Sequence, residues 1–504
     1  MTDQVDDTVK LRRVAFPRRR RTGVFGMLRI EQVAVLGVAL AVLAIPVFFA
    51  GLNSVQVSLI PALVIATVGV VPHPDGRPVL HYLAIGFLFM ARKNAGQTTY
   101  RAPLVRPATA GYFQLPGGLA NIELVRSDNP DYGAITLNPA DQTFAAVIRV
   151  SSPGWALQAG QDKVRRLDSY SQLLSSLTNH TGLERIQIML SAIVTSPTAV
   201  QDYSFDHRSM DASPWATHQY DQILEHAVRN TAQHQTHIVV VLSRTKLARQ
   251  IKQSGGGNAG LLAVMAQEVR ALGHALEECG LTSELWLGER ELAAMIRQAY
   301  DPASTPDIDS RVEAFAGVAP HSAGPRAAEE FWRSLRTDSG FHAVYEVTEW
   351  PRISVDPDFL AKIVDLPYRH TLSLIARPIS LQESVKAIER AKSRIQADRM
   401  VRQARRSGKA ESAFVQAELE DINRREQEVI SGFGDLEFVG MVALTAPDED
   451  QLRAACTSLE QAASQSFIEV RQYYGQQAAA FNSAALPLGI TATTPRKSAL
   501  AGLL

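Results

Sequence analysis

The chain is poor in cysteine and has no net charge. Cys279 and Cys456 are its only cysteines in 504 residues, too few for a disulfide framework or a cysteine-ligated zinc site. This scarcity favours a reducing compartment. Lys and Arg together number 51, as do Asp and Glu together, so no global charge excess indicates a polyanionic partner.

Complete catalytic motifs are also missing. No G-x-x-x-x-G-K-[ST] phosphate loop is present, because Gly408-Lys409 lacks the first glycine and the hydroxyl residue. Ser243 and Lys246 match S-x-x-K, but its companion motifs are absent. His234 and His237 lack the glutamate of an H-E-x-x-H zinc motif. We therefore predict a non-enzymatic protein without catalytic residues, cofactor or metal. An ATPase with an unorthodox nucleotide site stays open as the alternative.

Charged residues are absent between Gln32 and His73, where two apolar runs follow each other. Runs of this length predict a transmembrane helical hairpin with spans Val33–Leu52 and Val55–Val71. The alternatives are a buried hairpin in a soluble core and, less compatible with a second apolar run, a cleaved signal peptide.

Basic residues flank this hairpin on both sides. Basic flanks stay on the cytoplasmic side, so the pattern predicts a multi-pass protein of the inner cell membrane, with both termini and the main body in the cytoplasm. Leu80–Ala91 follows as an interfacial amphipathic helix or, alternatively, a buried soluble helix. The flanking residues assigned to the lipid headgroups are Arg18, Arg19, Arg20, Arg21, Arg92 and Lys93.

The rest of the chain predicts an α+β fold with two similar modules, because the order of strands and helices repeats. A long antiparallel helical hairpin interrupts the second module. The predicted divisions are a basic segment 1–29, the membrane hairpin with its interfacial helix 30–101, a first module 102–300, a linker 301–340, a second module 341–489 with the helical hairpin 381–430, and a tail 490–504.

The helical hairpin 381–430 has an apolar seam, a basic first arm and an acidic second arm. If the arms neutralise each other, the hairpin only stabilises the fold. If its basic tip faces a partner, the contact is electrostatic. Nucleic-acid binding is less favoured, since no aromatic residues interleave with the basic ones. The candidate contact residues at the tip are Arg402, Arg405, Arg406 and Lys409.

Residues 23–101 resemble the small PrgI-type membrane subunit of conjugation and type IV secretion machines, through the short hairpin and Gly76-Arg77-Pro78. Residues 110–489 resemble the region that precedes the motor domain in the large conjugation ATPases. The motifs that carry this resemblance are Phe113–Gly117 (FQLPG), Tyr345–Pro351 (YEVTEWP), Tyr474–Phe481 (YGQQAAAF) and Leu486–Gly489 (LPLG). The fused arrangement is similar to actinobacterial conjugation-locus membrane proteins.

The resemblance implies a membrane-anchored, non-catalytic scaffold of a conjugative or type IV-like secretion apparatus. Because the motor is missing, no catalytic residue carries over. The implied partners are the lipid bilayer, a separate motor ATPase, other channel subunits and further copies of the chain. A membrane-tethered DNA-binding factor that uses Arg18–Arg21 or the basic arm is a second alternative.

Overall fold

The structure is a computed structural model. The ranges that it describes are 30–50, 55–70, 79–103, 111–127, 132–151, 158, 160–177, 180, 182–194, 204–205, 208, 213–228, 232–311, 315–404, 413–430 and 435–491.

Three helices precede the sheet: α1 (Ile30–Ala50), α2 (Val55–Val70) and α3 (Val79–Asn94). Within the part of the chain that the structure describes, no helix is both long enough and apolar enough to cross a bilayer. At 16 residues, α2 is only about 24 Å long, against a hydrocarbon core of about 30 Å. The predicted transmembrane hairpin is therefore wrong, and the multi-pass assignment loses its basis.

The first half of the body has four strands and two helices that pack on them. Strands β4 (Thr143–Ser151), β5 (Leu183–Val194), β6 (Ala232–Ser243) and β7 (Thr282–Trp286) pair antiparallel in the order β7-β4-β6-β5. Helices α4 (Gly160–Leu177) and α7 (Gly257–Glu278) cover one face of these four strands. The central strands are apolar on both of their faces. The connection between β5 and β6 contains helix α5 (Pro214–Val228), and the short α6 (Ala248–Gln253) precedes α7.

The second half has the same strand order. Strands β10 (Phe341–Glu349), β11 (Arg369–Ile379), β12 (Asp435–Ala446) and β13 (Glu469–Gln472) pair antiparallel as β13-β10-β12-β11. Helices α10 (Ala361–Val364) and α13 (Glu449–Gln465) cover the face that α4 and α7 cover in the first half. This is the split β-α-β arrangement of ferredoxin-like domains, found twice.

The two halves join edge to edge through β5 and β11. These strands pair antiparallel, with Met189 opposite Ser373, so the described strands form one thirteen-stranded sheet. The outer strands are short: β1 (Thr99–Arg101), β2 (Glu123–Val125), β3 (Ile135–Asn138), β8 (Ala327–Glu330) and β9 (Leu335–Arg336).

The opposite face of the sheet carries a core that both halves share. Helices α8 (Glu289–Tyr300) and α14 (Gln477–Ala485), the segment 113–124 and the short α9 (Thr305–Asp309) contribute to this layer. Phe481, fully buried on α14, packs 5.4 Å from the Tyr300 ring of α8. Because this core contacts strands of both halves, it holds them together as one unit. Residues 301–340, expected to be a linker, contain α9, β8 and β9 and add to this layer and to the sheet.

Long insertions occur at the same point of each half, between its second and third strands. In the first half the insertion follows Val194 and contains α5. In the second it follows Ile379 and contains α11 (Leu381–Ala404) and α12 (Ala413–Ile430). Because β5 and β11 are antiparallel, the two insertions leave the sheet at opposite ends.

Candidate assembly surfaces

Helix α3 lies against the body through aromatic side chains. Tyr82 contacts Tyr474 with ring centroids 5.7 Å apart, and Phe89 contacts Trp332 at 5.5 Å. Trp332 also lies 5.9 Å from Tyr474. Gly86 faces the Trp332 ring, and an added Cβ would make an ordinary van der Waals contact with it at 3.8 Å. The aromatic residues therefore fix α3 to the loops beside β8 and α14.

An ion pair between a partly exposed arginine and a buried carboxylate strengthens this attachment. Arg92 at the end of α3 forms a salt bridge with Glu330, whose side chain is 2% exposed. The same carboxylate accepts a hydrogen bond of 3.0 Å from the backbone N–H of Ala478 in the first turn of α14. A carboxylate at a helix N-terminus is favourable, because it satisfies a free N–H and faces the positive end of the dipole. Arg92, predicted to face lipid headgroups, is thus bonded to the body, whereas the adjacent Lys93 is exposed.

The outer face of α3 is apolar and exposed. Leu83, Phe87, Leu88 and Met90 all project from it, and Phe87 is 76% exposed. Helix α2 contacts both α1 and α3. Like α3, helices α1 and α2 carry exposed apolar side chains. Exposed apolar patches on this scale mark surfaces for lipid or protein partners. The largest exposed side chains of α1 and α2 are Leu40, Ile45, Phe48, Phe49, Ile60 and Leu63.

The arm formed by α11 and α12 is neutralised near its root. Lys392 pairs with Glu426 across the two helices, and Arg425 pairs with Asp435 at the start of β12. Ile388, Ile395 and Val429 form the buried seam of the arm. Lys392–Glu426 joins the basic first helix to the acidic second, whereas Arg425–Asp435 joins the second helix to β12.

One of the four predicted partner-contact residues lies within the described ranges. Arg402 belongs to α11, whereas Arg405, Arg406 and Lys409 fall outside the described residues, like the basic flank Arg18–Arg21. Of the predicted span ends, Val33 lies in α1 and Val55 starts α2, while Leu52 and Val71 fall outside the described ranges.

The short catalytic motifs do not assemble a site. Lys246 Nζ donates a 2.9 Å hydrogen bond to Glu184, and the Ser243 hydroxyl lies 3.0 Å from that of Thr245. The Lys246 ammonium group therefore binds the Glu184 carboxylate instead of the Ser243 hydroxyl. His234 and His237 are three residues apart on β6, so their side chains point to opposite faces. Among the described residues, no group of three or more His, Cys, Asp or Glu is placed to hold a metal.

Comparison with protein families gives one match to this region of the fold. Residues 230–347 match the EccE family model, described as "Putative type VII ESX secretion system translocon, EccE". The matched segment runs from β6 through α7 and α8 to β10, so it includes Glu330 and the part of the shared core that α8 contributes. No curated protein matches the chain significantly.

This match corrects the resemblance drawn from the sequence. It supports a membrane-associated subunit of a secretion system, and the named system is of type VII. It does not support a PrgI-type subunit, a conjugation ATPase or a type IV apparatus. The motifs that suggested the ATPase have packing roles instead: Phe113, Tyr345 and Phe481 are each buried in the core.

Sequence reasoning missed the residues that attach α3. Glu330 stands in a stretch read as a linker, and nothing in its neighbours marks a buried carboxylate. The only signal was Trp332 two residues later, because a tryptophan in a polar linker indicates a packing site.

Proposed function

We propose that this protein is a non-catalytic scaffold subunit of a type VII-like secretion apparatus, associated with the membrane and docking a separate motor ATPase. The match of residues 230–347 to the EccE translocon family is the observation that carries the proposal. The matched segment includes β6 and β7 of the first half and β10 of the second, so the likeness concerns this part of the body.

The exposed apolar faces of α1, α2 and α3 support the association. A surface with Phe48, Phe49 and Phe87 mostly exposed is costly in water. Burial against lipid or a neighbouring subunit removes that cost. Since Arg92 and Glu330 fix α3 to the body, whatever binds this surface is held at a set distance from the sheet.

The charged arm supports the docking of a motor. The root pair Lys392–Glu426 uses one of the arm's own acidic residues, while Arg425 pairs with Asp435 of β12. The tip residues Arg402, Arg405, Arg406 and Lys409 lie between Lys392 and Glu426 in sequence. A basic tip binds an acidic surface in a salt-sensitive way.

Affinity purification from membranes, with identification of the bound proteins, tests the proposal. Wild-type protein should retain translocon subunits and a motor ATPase. Replacing the four tip residues with Glu should reduce recovery of the motor and lower secretion, and a melting curve checks that the variant folds. Charge reversal of the exposed root residues Lys386 and Arg390 is the matched control and should preserve motor binding.

Two results contradict the proposal. If the tip variant folds, retains every partner at wild-type levels and supports normal secretion, the tip has no docking role. If the purified protein binds ATP saturably with a dissociation constant tighter than about 100 μM, the non-catalytic assignment is wrong.

A further inference from the structure

A small polar cavity lies where the two halves of the sheet meet. Its volume is about 40 Å³, and it lies beneath α8 and α14. Its lining combines strands of the first half with strands of the second. The polar side chains that matter here are Ser191, Gln235, His237, Arg369 and Thr371.

These side chains share one face of the sheet. Gln235 is opposite Ser191, and Ser191 is opposite Thr371, so the three form a row across β6, β5 and β11. His237 lies two residues beyond Gln235 and Arg369 two residues before Thr371, which places both on that same face. A cavity of this volume holds a ligand of only a few heavy atoms.

Two histidines that line the cavity, His237 and His370, each have a ring nitrogen without a hydrogen-bond partner among the described residues, and His237 shares the face of the polar row. Its side chain is 1% exposed, and its Nδ1 has no hydrogen-bond partner among the described residues. A buried polar atom without a partner is costly, and such an atom beside a polar cavity indicates a bound molecule. The pKa of His237 is lowered to about 4, first by burial and then by the neighbouring Arg149, so the ring is neutral at pH 7.

The charges around the cavity are mainly positive. Arg369 donates 2.9 Å hydrogen bonds to Gln298 O and to Thr305 Oγ1, and no described carboxylate forms a salt bridge with it. Arg149 is opposite His237 on β4 and has an unpartnered Nε. The negative charge of Asp309 acts on Arg369; this carboxylate accepts a hydrogen bond from Gln298, and burial raises its pKa.

We infer that this cavity binds a small oxyanion of phosphate type, held by His237, by the hydroxyl groups of Ser191 and Thr371 and by the positive field of Arg369. The anion accepts a hydrogen bond from the Nδ1–H tautomer of His237 and offsets the charge of the two arginines. Because both halves contribute residues, binding stabilises their junction. This inference is independent of the proposed secretion role.

Calorimetric titration of the full chain with inorganic phosphate, against sodium chloride at equal ionic strength, tests the site. We expect saturable binding with a dissociation constant on the order of 1 mM or tighter, and a higher melting temperature in phosphate than in chloride. His237→Gln should weaken phosphate binding at least about tenfold, because one charge-assisted hydrogen bond to the anion is lost. Arg377→Gln, an exposed change on β11, is the control and should bind as wild type.

If the His237→Gln variant fails to fold, a second measurement on the wild-type protein tests the site. In wild-type protein with labelled histidine, phosphate should shift the ring resonances of His237 and raise its pKa, leaving the exposed His274 unchanged. If phosphate gives no saturable heat and no selective shift of His237, the cavity holds water only and the inference is wrong. Unweakened binding by folded His237→Gln overturns it equally.

Discussion

Gln187 Nε2 donates a 2.8 Å hydrogen bond to Ser373 Oγ across the junction of the two halves. Both residues are fully buried. The same amide donates to Ser483 O at 2.9 Å, and its Oε1 accepts from Gly489 N at 2.9 Å. One side chain thus joins β5 of the first half, β11 of the second and the end of α14.

Replacing Gln187 with Leu should lower the free energy of unfolding by about 3 kcal/mol, because Ser483 O and Gly489 N lose a buried partner. Urea denaturation measures this. Gln219→Leu on the exposed α5 is the matched control and should change stability by less than about 0.5 kcal/mol. Equal, small effects of the two substitutions would show that the junction does not depend on Gln187.

Gly260 and Gly273 share helix α7 but differ in surroundings. A Cβ on Gly260 would stand 2.3 Å from the backbone oxygen of Ile251, so Gly260→Ala should destabilise the protein by about 2 kcal/mol or more. A Cβ on Gly273 would have no atom nearer than 3.9 Å, so Gly273→Ala should stabilise by about 0.5–1 kcal/mol. Thermal unfolding of both variants checks the opposite signs. If both substitutions changed the stability in the same direction, the close approach of α6 and α7 would be contradicted.

Glu330→Gln tests the attachment of α3. The amide can still accept from Ala478 N–H, but the charge pair with Arg92 is lost, and we expect about 1–2 kcal/mol of destabilisation, since Arg92 is partly exposed. Trypsin should also cleave faster after Lys93. Asp450→Asn removes an exposed pair with Arg453 and is the control, with no change expected in either measurement. Unchanged proteolysis in Glu330→Gln would mean that the aromatic contacts alone hold α3.

Stability should fall as pH drops below 6.5. Burial lowers the pKa of His342 to about 3 and, with Arg149, that of His237 to about 4. Between these values and 6.5 the unfolded chain binds protons that the folded chain does not, so stability rises with pH by up to about 1.4 kcal/mol per unit for each histidine. Denaturation midpoints at pH 5.0–7.0 measure this slope. His342→Gln should flatten it, and an unchanged slope would show that His342 is not the source.

The sequence by itself determined the repeated order of elements. Five consecutive aliphatics at Ile238–Leu242 predict a buried strand, and the heptad spacing of Ile388 and Ile395 predicts the helical arm; both elements are present. Periodicity carries such information because it reflects which faces are buried locally.

Only the tertiary structure decided how these elements meet. The pairing of β5 with β11 joins residues about 180 positions apart, and nothing in either strand specifies the other as its partner. The same holds for Glu330, whose burial depends on Arg92 and on the N-terminus of α14, both far away in sequence. Long-range pairing of this kind depends on the shape and polarity of the complete core, which a local pattern does not contain.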